Sequence, residues 1–234
     1  CSNYQKMGLD CLFTLGGAGT HKTAALLCAE GCNVIGLPKT IDNDIYGTDV
    51  TFGFQTAAEI AAESIDRIRT TAAGHGRTML VEIMGNKAGW LALHAGLAAG
   101  ADMILIPEIP FSLDAVCEFV QKSAERKGAS DWERPYNIIA VAEGAVLDSE
   151  AAYKKKDRAF ARIERGESTV TQHLAEIVEE RTGVETRTSV LGYLQRGGTP
   201  CAYDRLLSSR LGAFAADLAA KGVFGVSVAV SGNR

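Results

Sequence analysis

Apolar runs of strand length recur at Cys11–Leu15, Asn33–Leu37, Met79–Ile83, Met103–Ile106, Ile138–Ala142 and Val226–Val230. They are short and largely uninterrupted, which predicts strands covered on both faces and hence parallel pairing through helical crossovers. Helical patterning lies between several of them. The clearest stretch, Thr56 to Thr71, sets Ala57, Ile60, Ala61, Ser64, Ile65 and Ile68 on one stripe at i, i+3, i+4, i+7 spacing. This alternation predicts an α/β protein with doubly wound parallel sheets. The run from Val226 to Arg234 reads as a strand with nothing after it to cover it, and the first residues enter a strand almost at once. Both ends therefore read as cuts.

Composition narrows the class without changing it. A chain of 234 residues, 47% hydrophobic and 22% charged, is long enough to bury a core in one large domain or two small ones. A formal net charge of -4 argues against a nucleic-acid partner, which demands a basic face. The most apolar region, Ala88 to Phe111, is broken by His94, Asp102 and Glu108, so no membrane span is expected. The six cysteines (Cys1, Cys11, Cys28, Cys32, Cys117, Cys201) form no C-x-x-C pair and no zinc spacing with the four histidines. They read as reduced thiols of a cytoplasmic protein. The charged run Tyr153–Arg165 reads as a solvated helix or surface excursion.

Candidate chemistry begins at Gly16-Gly17-Ala18-Gly19-Thr20, where a strand runs into the apolar helix Ala24–Ala29. Glycines at such a junction let backbone N–H groups approach a phosphate at the positive helix end. A P-loop would span Gly16 to Thr23, but His21 stands where its last glycine belongs. A dinucleotide fingerprint fails at Lys22. Taken alone, the loop is also compatible with a tight turn and no ligand. The next strand ends in Gly36-Leu37-Pro38-Lys39-Thr40-Ile41-Asp42-Asn43-Asp44. Two carboxylates, an amide, a hydroxyl and a lysine lie at the carboxyl end of a parallel strand, where such sheets bind ligands; a polar turn held by Asx hydrogen bonds is the alternative.

GLPKTIDND is followed in order by TFGFQTAAEIAAESIDRIR, VEIMGNKAGW, GADMILIPEIPF, IIAVAEGA and ETRTSVLGYLQRGGTPCAYDR. This series resembles the 6-phosphofructokinase family over almost the whole chain. GGAGT then looks like that family's GGDGS/T loop, whereas the family's N-terminal glycine-rich turn and its C-terminal end are absent. The resemblance implies two doubly wound, Rossmann-like domains with the active site between them. Residues 1–53 with 195–234 would be part of the phosphoryl-donor domain, and residues 54–194 the fructose 6-phosphate domain.

The same resemblance implies roles. Asp42 would be the general base for the sugar's 1-hydroxyl, Thr40 would orient the reacting groups, and Asp44 would place the metal or hold the loop. Arg77, Arg187 and Arg196 would bind the 6-phosphate, with Met84 and Gly85 lining the pocket, Glu143 accepting a sugar hydroxyl and Tyr193 donating to phosphate. The equivalents of Arg77 and Arg187 reach a neighbouring subunit's site, which implies a homo-oligomer, dimer or tetramer. Gly16, Gly17, Gly19, Thr20 and Lys39 would contact the donor. Gly19 favours ATP, while Lys39 is typical of pyrophosphate users. Mg2+ is the implied cofactor, yet Ala18 replaces the acid that helps hold it, and an alanine offers no oxygen to a hard cation. Asn86, where many relatives carry arginine, is a lesser departure. An active kinase and a non-catalytic sugar-phosphate-binding subunit therefore both remain open.

Overall fold

The apolar runs become two parallel sheets, one in each of two units. A computed structural model describes residues 2–125, 134–154, 156–158, 164, 166 and 169–232. One unit comprises Cys1–Thr56 with Thr199–Arg234, the other Ala57–Gly198.

The first unit contains α1 (Ser2–Lys6), β1 (Leu12–Gly16), α2 (Ala18–Ala29), β2 (Val34–Thr40), β3 (Phe52–Gly53), α7 (Ala202–Ala220) and β8 (Val226–Ser227). Strand β2 is central and pairs in parallel with β1, β3 and β8. Helix α2 covers one face through Ala24, packed with Leu12, Leu27 and Val34. On the opposite face Ile35 and Leu37 are buried. Their β1 neighbours in register, Phe13 and Leu15, stay 40% and 55% exposed. The expectation of cover on both faces therefore fails for β1.

The expected strand Val226–Val230 is also shorter, pairing only at Val226 and Ser227. Val228 N–H still donates to the Gly36 carbonyl at 3.0 Å, and beyond it the chain leaves the ladder for the loop before β3. Asp49 N–H donates to the Val230 carbonyl at 2.8 Å, and Val230 N–H donates to Thr48 Oγ1 at 3.1 Å. Val228 and Val230 are buried all the same. The apolar pattern recorded burial there, not pairing.

The second unit holds most of α3 (Phe54–His75), then β4 (Thr78–Ile83), α4 (Trp90–Ala98), β5 (Met103–Leu105), α5 (Leu113–Ala124), β6 (Asn137–Ala142), α6 (Val170–Thr182) and β7 (Thr186–Val190). The expected stripe on α3 is real, with Ala57, Ala61 and Ile65 fully buried, and the helix extends beyond it at both ends. The sheet order is β5-β6-β4-β7, all parallel. Helices α5 and α6 bury Val116, Val120, Leu174 and Val178 against Leu80, Ile139 and Val141 on one face. Helix α4 lies close on Ile104 and Ala140, where a side chain at Gly96 would approach Ile104 Cδ1 to 2.8 Å. Strand order reverses beside β4, so the carboxyl ends of β4 and β6 open onto a crevice of the kind that binds ligands in open α/β sheets.

Within the charged run, Tyr153, Lys154, Lys156 and Asp157 are exposed, and residues 155, 159–163 and 165 lie outside the described residues. Among the described residues no helix is long and apolar enough to cross a membrane.

Candidate active site

In the first unit the glycine run is the junction between β1 and α2. Gly17 is the N-cap of α2, so Ala18, Gly19 and Thr20 form its first turn, and no side chain caps it. The free N–H groups and positive dipole end of that turn are open to an anion. Gly16 is required by its neighbour: a β-carbon there would lie 2.1 Å from Thr20 Oγ1. A β-carbon on Gly17 would sit 3.6 Å from Thr40 Cβ, so the glycine loop and the end of β2 are adjacent. His21 turns away from the loop. Its ring packs on Gly36, and its Nδ1 lies 3.2 Å from Ser227 Oγ, which disposes of the P-loop reading on structural grounds.

The segment after β2 is a built turn. Asp42 N–H donates to Thr40 Oγ1 at 3.1 Å, leaving the threonine hydroxyl proton to donate elsewhere. The fully buried Thr51 donates its hydroxyl to the Thr40 carbonyl at 2.8 Å and its N–H to Asn43 Oδ1 at 2.9 Å. Asn43 adopts φ 52°, a left-handed conformation asparagine tolerates. The Asx bonding of this turn is thus carried by Asn43. Asp42 is half-buried, and Lys39 and Asp44 are exposed.

In the second unit the Met84-Gly85-Asn86 turn follows β4. Gly85 has φ 141° and Asn86 φ 54°. Gln195, 1% exposed, accepts from Met84 N–H at 3.2 Å. Glu143 Oε1 accepts from Gly85 N–H at 3.2 Å and Asn86 N–H at 2.6 Å. One oxygen of Glu143 therefore holds the turn, a task the sequence did not disclose. Arg196 lies 5.6 Å from the centre of the exposed Tyr193 ring, a cation–π pair at the same end of the sheet.

Arg77 and Arg187 lie elsewhere. Arg77 immediately precedes β4 and Arg187 is second in β7, so both sit at the amino ends of their strands. Glu185 joins them, at 2.8 Å from Arg77 and 2.7 Å from Arg187, and Glu179 pairs with Arg187 at 2.9 Å. The hydrogen bond from Arg77 holds the Glu185 carboxyl below its ordinary range, and the same bond raises Arg77. The six residues of β4 separate Arg77 from Met84, roughly 20 Å of extended chain. One copy does not bring these two arginines to the cluster of Met84, Gly85, Glu143 and Arg196.

Glu82, a lone carboxylate inside the otherwise apolar strand Met79–Ile83, escaped the sequence reading, although an acid in a buried strand was itself the signal. Asp204 escaped as well: 4% exposed, it accepts from Thr56 N–H at 2.8 Å and Thr56 Oγ1 at 2.5 Å.

The phosphofructokinase family model matches residues 1–219. The chain belongs to the phosphofructokinase family. Among similar phosphofructokinases, the ATP-dependent 6-phosphofructokinase of Spirochaeta thermophila is 53% identical over 228 residues, covering 97% of this chain and 61% of that protein. The pyrophosphate–fructose 6-phosphate 1-phosphotransferase of Amycolatopsis methanolica is 50% identical over 229 residues, covering 97% of this chain and 64% of that protein. The chain thus spans just over three fifths of these curated relatives. Among solved structures, phosphofructokinase from Saccharomyces cerevisiae aligns with TM-score 0.77 at 29% identity, over 99% of this chain and 31% of that one. Pyrophosphate-dependent phosphofructokinase from Marinobacter aquaeolei aligns with TM-score 0.72 at 25% identity, over 100% of this chain and 57% of that one. The expected fold class, α/β with parallel doubly wound sheets of phosphofructokinase type, holds.

Proposed function

We propose that this chain forms the catalytic core of a cytoplasmic 6-phosphofructokinase that transfers a phosphoryl group to the 1-hydroxyl of fructose 6-phosphate. The observation that carries this reading is the Thr40–Asp44 turn, anchored by a buried threonine and set beside a glycine loop at an uncapped helix start. Phosphoryl transfer asks mainly for positioning and charge neutralisation, with little covalent help. Asp42 takes the proton as the sugar oxygen bonds to phosphorus and the bond to the leaving phosphate breaks. Thr40 donates its hydroxyl proton to the moving group. The N–H groups at the start of α2, with Gly16, Gly17, Gly19, Thr20 and Lys39, hold the donor's phosphates. Met84, Gly85, Glu143, Tyr193 and Arg196 bind the sugar phosphate. Arg77 and Arg187, at the other end of the sheet, serve the site of a second copy in a homo-oligomer; a dimer and a tetramer both satisfy this. The free thiols of Cys11, Cys28, Cys117 and Cys201 suit a reducing compartment.

ATP is the favoured donor because Gly19 leaves open space at the start of α2. Pyrophosphate is the alternative, in keeping with Lys39 and with the two donors named for the relatives. Among the described residues no three metal-ligating side chains converge. A magnesium ion fits here as a companion of the donor's phosphates, with Asp44 as the supporting carboxylate. Bound there, it would neutralise phosphate charge. Ala18→Asp is expected to lower the magnesium requirement by roughly tenfold, measured by magnesium titration of the initial rate. An unchanged titration would count against a metal role for that position.

Coupled assays with ATP and then pyrophosphate test the function. Turnover with either supports it. Fructose 6-phosphate binding without turnover on both donors would favour the second reading, a non-catalytic sugar-phosphate-binding subunit, which Ala18 motivates.

A further inference from the structure

The second unit has a half-open cavity of about 490 Å³ at the carboxyl ends of β4 and β6, lined among others by Glu82, Asn86, Lys87, Glu143, Arg158 and Thr169. Glu82 is its anomaly. The residue is 7% exposed, and its Oε2 is buried without any hydrogen-bond partner. Leaving a buried carboxylate oxygen without a donor costs more than an ordinary lost hydrogen bond, and folded proteins rarely tolerate it unless water or a ligand completes it.

Register explains why the Glu82 side chain lines the cavity. Leu80 pairs with Ile139 and Glu82 with Val141, so Glu82 continues the face that Leu80, Ile139 and Val141 bury under α5 and α6. The α6 helix begins at Val170, after the N-cap Thr169, and both residues line the cavity. Glu143, two residues beyond Val141, lines the same space. Its Oε1 is committed to the Gly85 and Asn86 N–H groups. Lys87 and Arg158 contribute positive charge to the lining, Arg158 being held by the Tyr153 carbonyl at 2.9 Å. Carboxylate acceptors together with cations describe a ligand rich in hydroxyls with an anionic end. A phosphorylated sugar has that chemistry.

Resting on the fructose 6-phosphate reading above, we propose that Glu82 is a further substrate-positioning residue, whose carboxylate accepts a ring hydroxyl of the hexose phosphate in the cavity it shares with Glu143. It sets which epimer is accepted, because a site built to hydrogen-bond a hydroxyl leaves its own polar group unpaired when that hydroxyl points away.

The test uses the full chain and Glu82→Gln, with fructose 6-phosphate, its C3 epimer D-psicose 6-phosphate and its C4 epimer D-tagatose 6-phosphate. Titration calorimetry reads binding and a coupled assay reads turnover. The variant is expected to bind fructose 6-phosphate about 10- to 100-fold more weakly, the scale of a hydrogen bond to a charged group. The KM for the phosphoryl donor stays unchanged, and the preference over one epimer flattens. A lowered melting temperature with unchanged sugar affinity and intact epimer preference overturns the proposal and makes Glu82 structural. Wild-type chain that neither binds nor phosphorylates fructose 6-phosphate overturns the underlying reading instead. If Glu82→Gln does not fold, Glu82→Asp carries the same comparison, because the shortened acid keeps its charge and withdraws its oxygen from the ligand.

Discussion

Asp42→Asn is expected to reduce turnover by about 10²–10⁴-fold, the usual contribution of a positioned general base, while leaving the melting temperature close to wild type. The separation of the two effects follows from the local structure. The turn that carries Asp42 is fixed by the Thr51 hydroxyl on the Thr40 carbonyl and by Asn43 Oδ1 on the Thr51 N–H. Asparagine keeps the shape and the backbone N–H that donates to Thr40 Oγ1, but it cannot take a proton from an attacking hydroxyl at neutral pH. The sugar KM should move little, because the proton is transferred only on the way to the transition state. Stopped-time assays beside thermal melts provide the comparison. Near-normal turnover in a folded variant would remove Asp42 from the mechanism.

Gly85→Ala should be the most damaging of the conservative changes. Gly85 sits at φ 141°, where a side chain is strained whatever space surrounds it, and a β-carbon would approach the Ala88 carbonyl oxygen to 2.4 Å. Backbone strain of this kind costs about 1–3 kcal/mol, and the forced shift adds about 1–3 kcal/mol more. The damage is local. The Gly85 and Asn86 N–H groups are the two that Glu143 clamps, so the turn should come off its carboxylate and weaken sugar-phosphate binding along with stability. Gly212→Ala, in open space on α7, is the control and should be neutral. Denaturant titration together with the fructose 6-phosphate KM would register both effects. A variant as stable as wild type with an unaltered KM would mean that the turn tolerates another conformation.

What the sequence disclosed depended on whether a residue's job is local. The stripe on α3 was legible because burial at a spacing of three and four residues is a property of one helix. The strands Met79–Ile83 and Ile138–Ala142 were legible because being buried on both faces erases polar residues. Strand β7, Thr186–Val190, is four polar residues followed by a valine, with only Thr186 buried, and it was recognised only within its motif. The two-residue β3 leaves no periodicity to read. At the candidate site, Thr40, Asp42 and Asp44 stood out in the sequence because they crowd polar chemistry into few residues at a strand end. The second task of Glu143, the buried Thr51 that pins the turn and the orphaned oxygen of Glu82 were not. Each depends on which backbone groups another segment brings alongside, and spacing along one chain carries no record of that.

Arg77 and Arg187 sit at the amino ends of their strands, remote from Glu143 and Arg196, and in the homo-oligomer proposed above that placement would confer an unusual genetic property. Two inactive versions of the chain should cure each other. An Asp42→Asn copy keeps good arginines to lend, and an Arg187→Ala copy keeps a good base to use. In a hybrid of the two, one of the paired centres collects both defects and the other collects none. Mixing and reassociating the two silent proteins should therefore restore a fraction of normal activity.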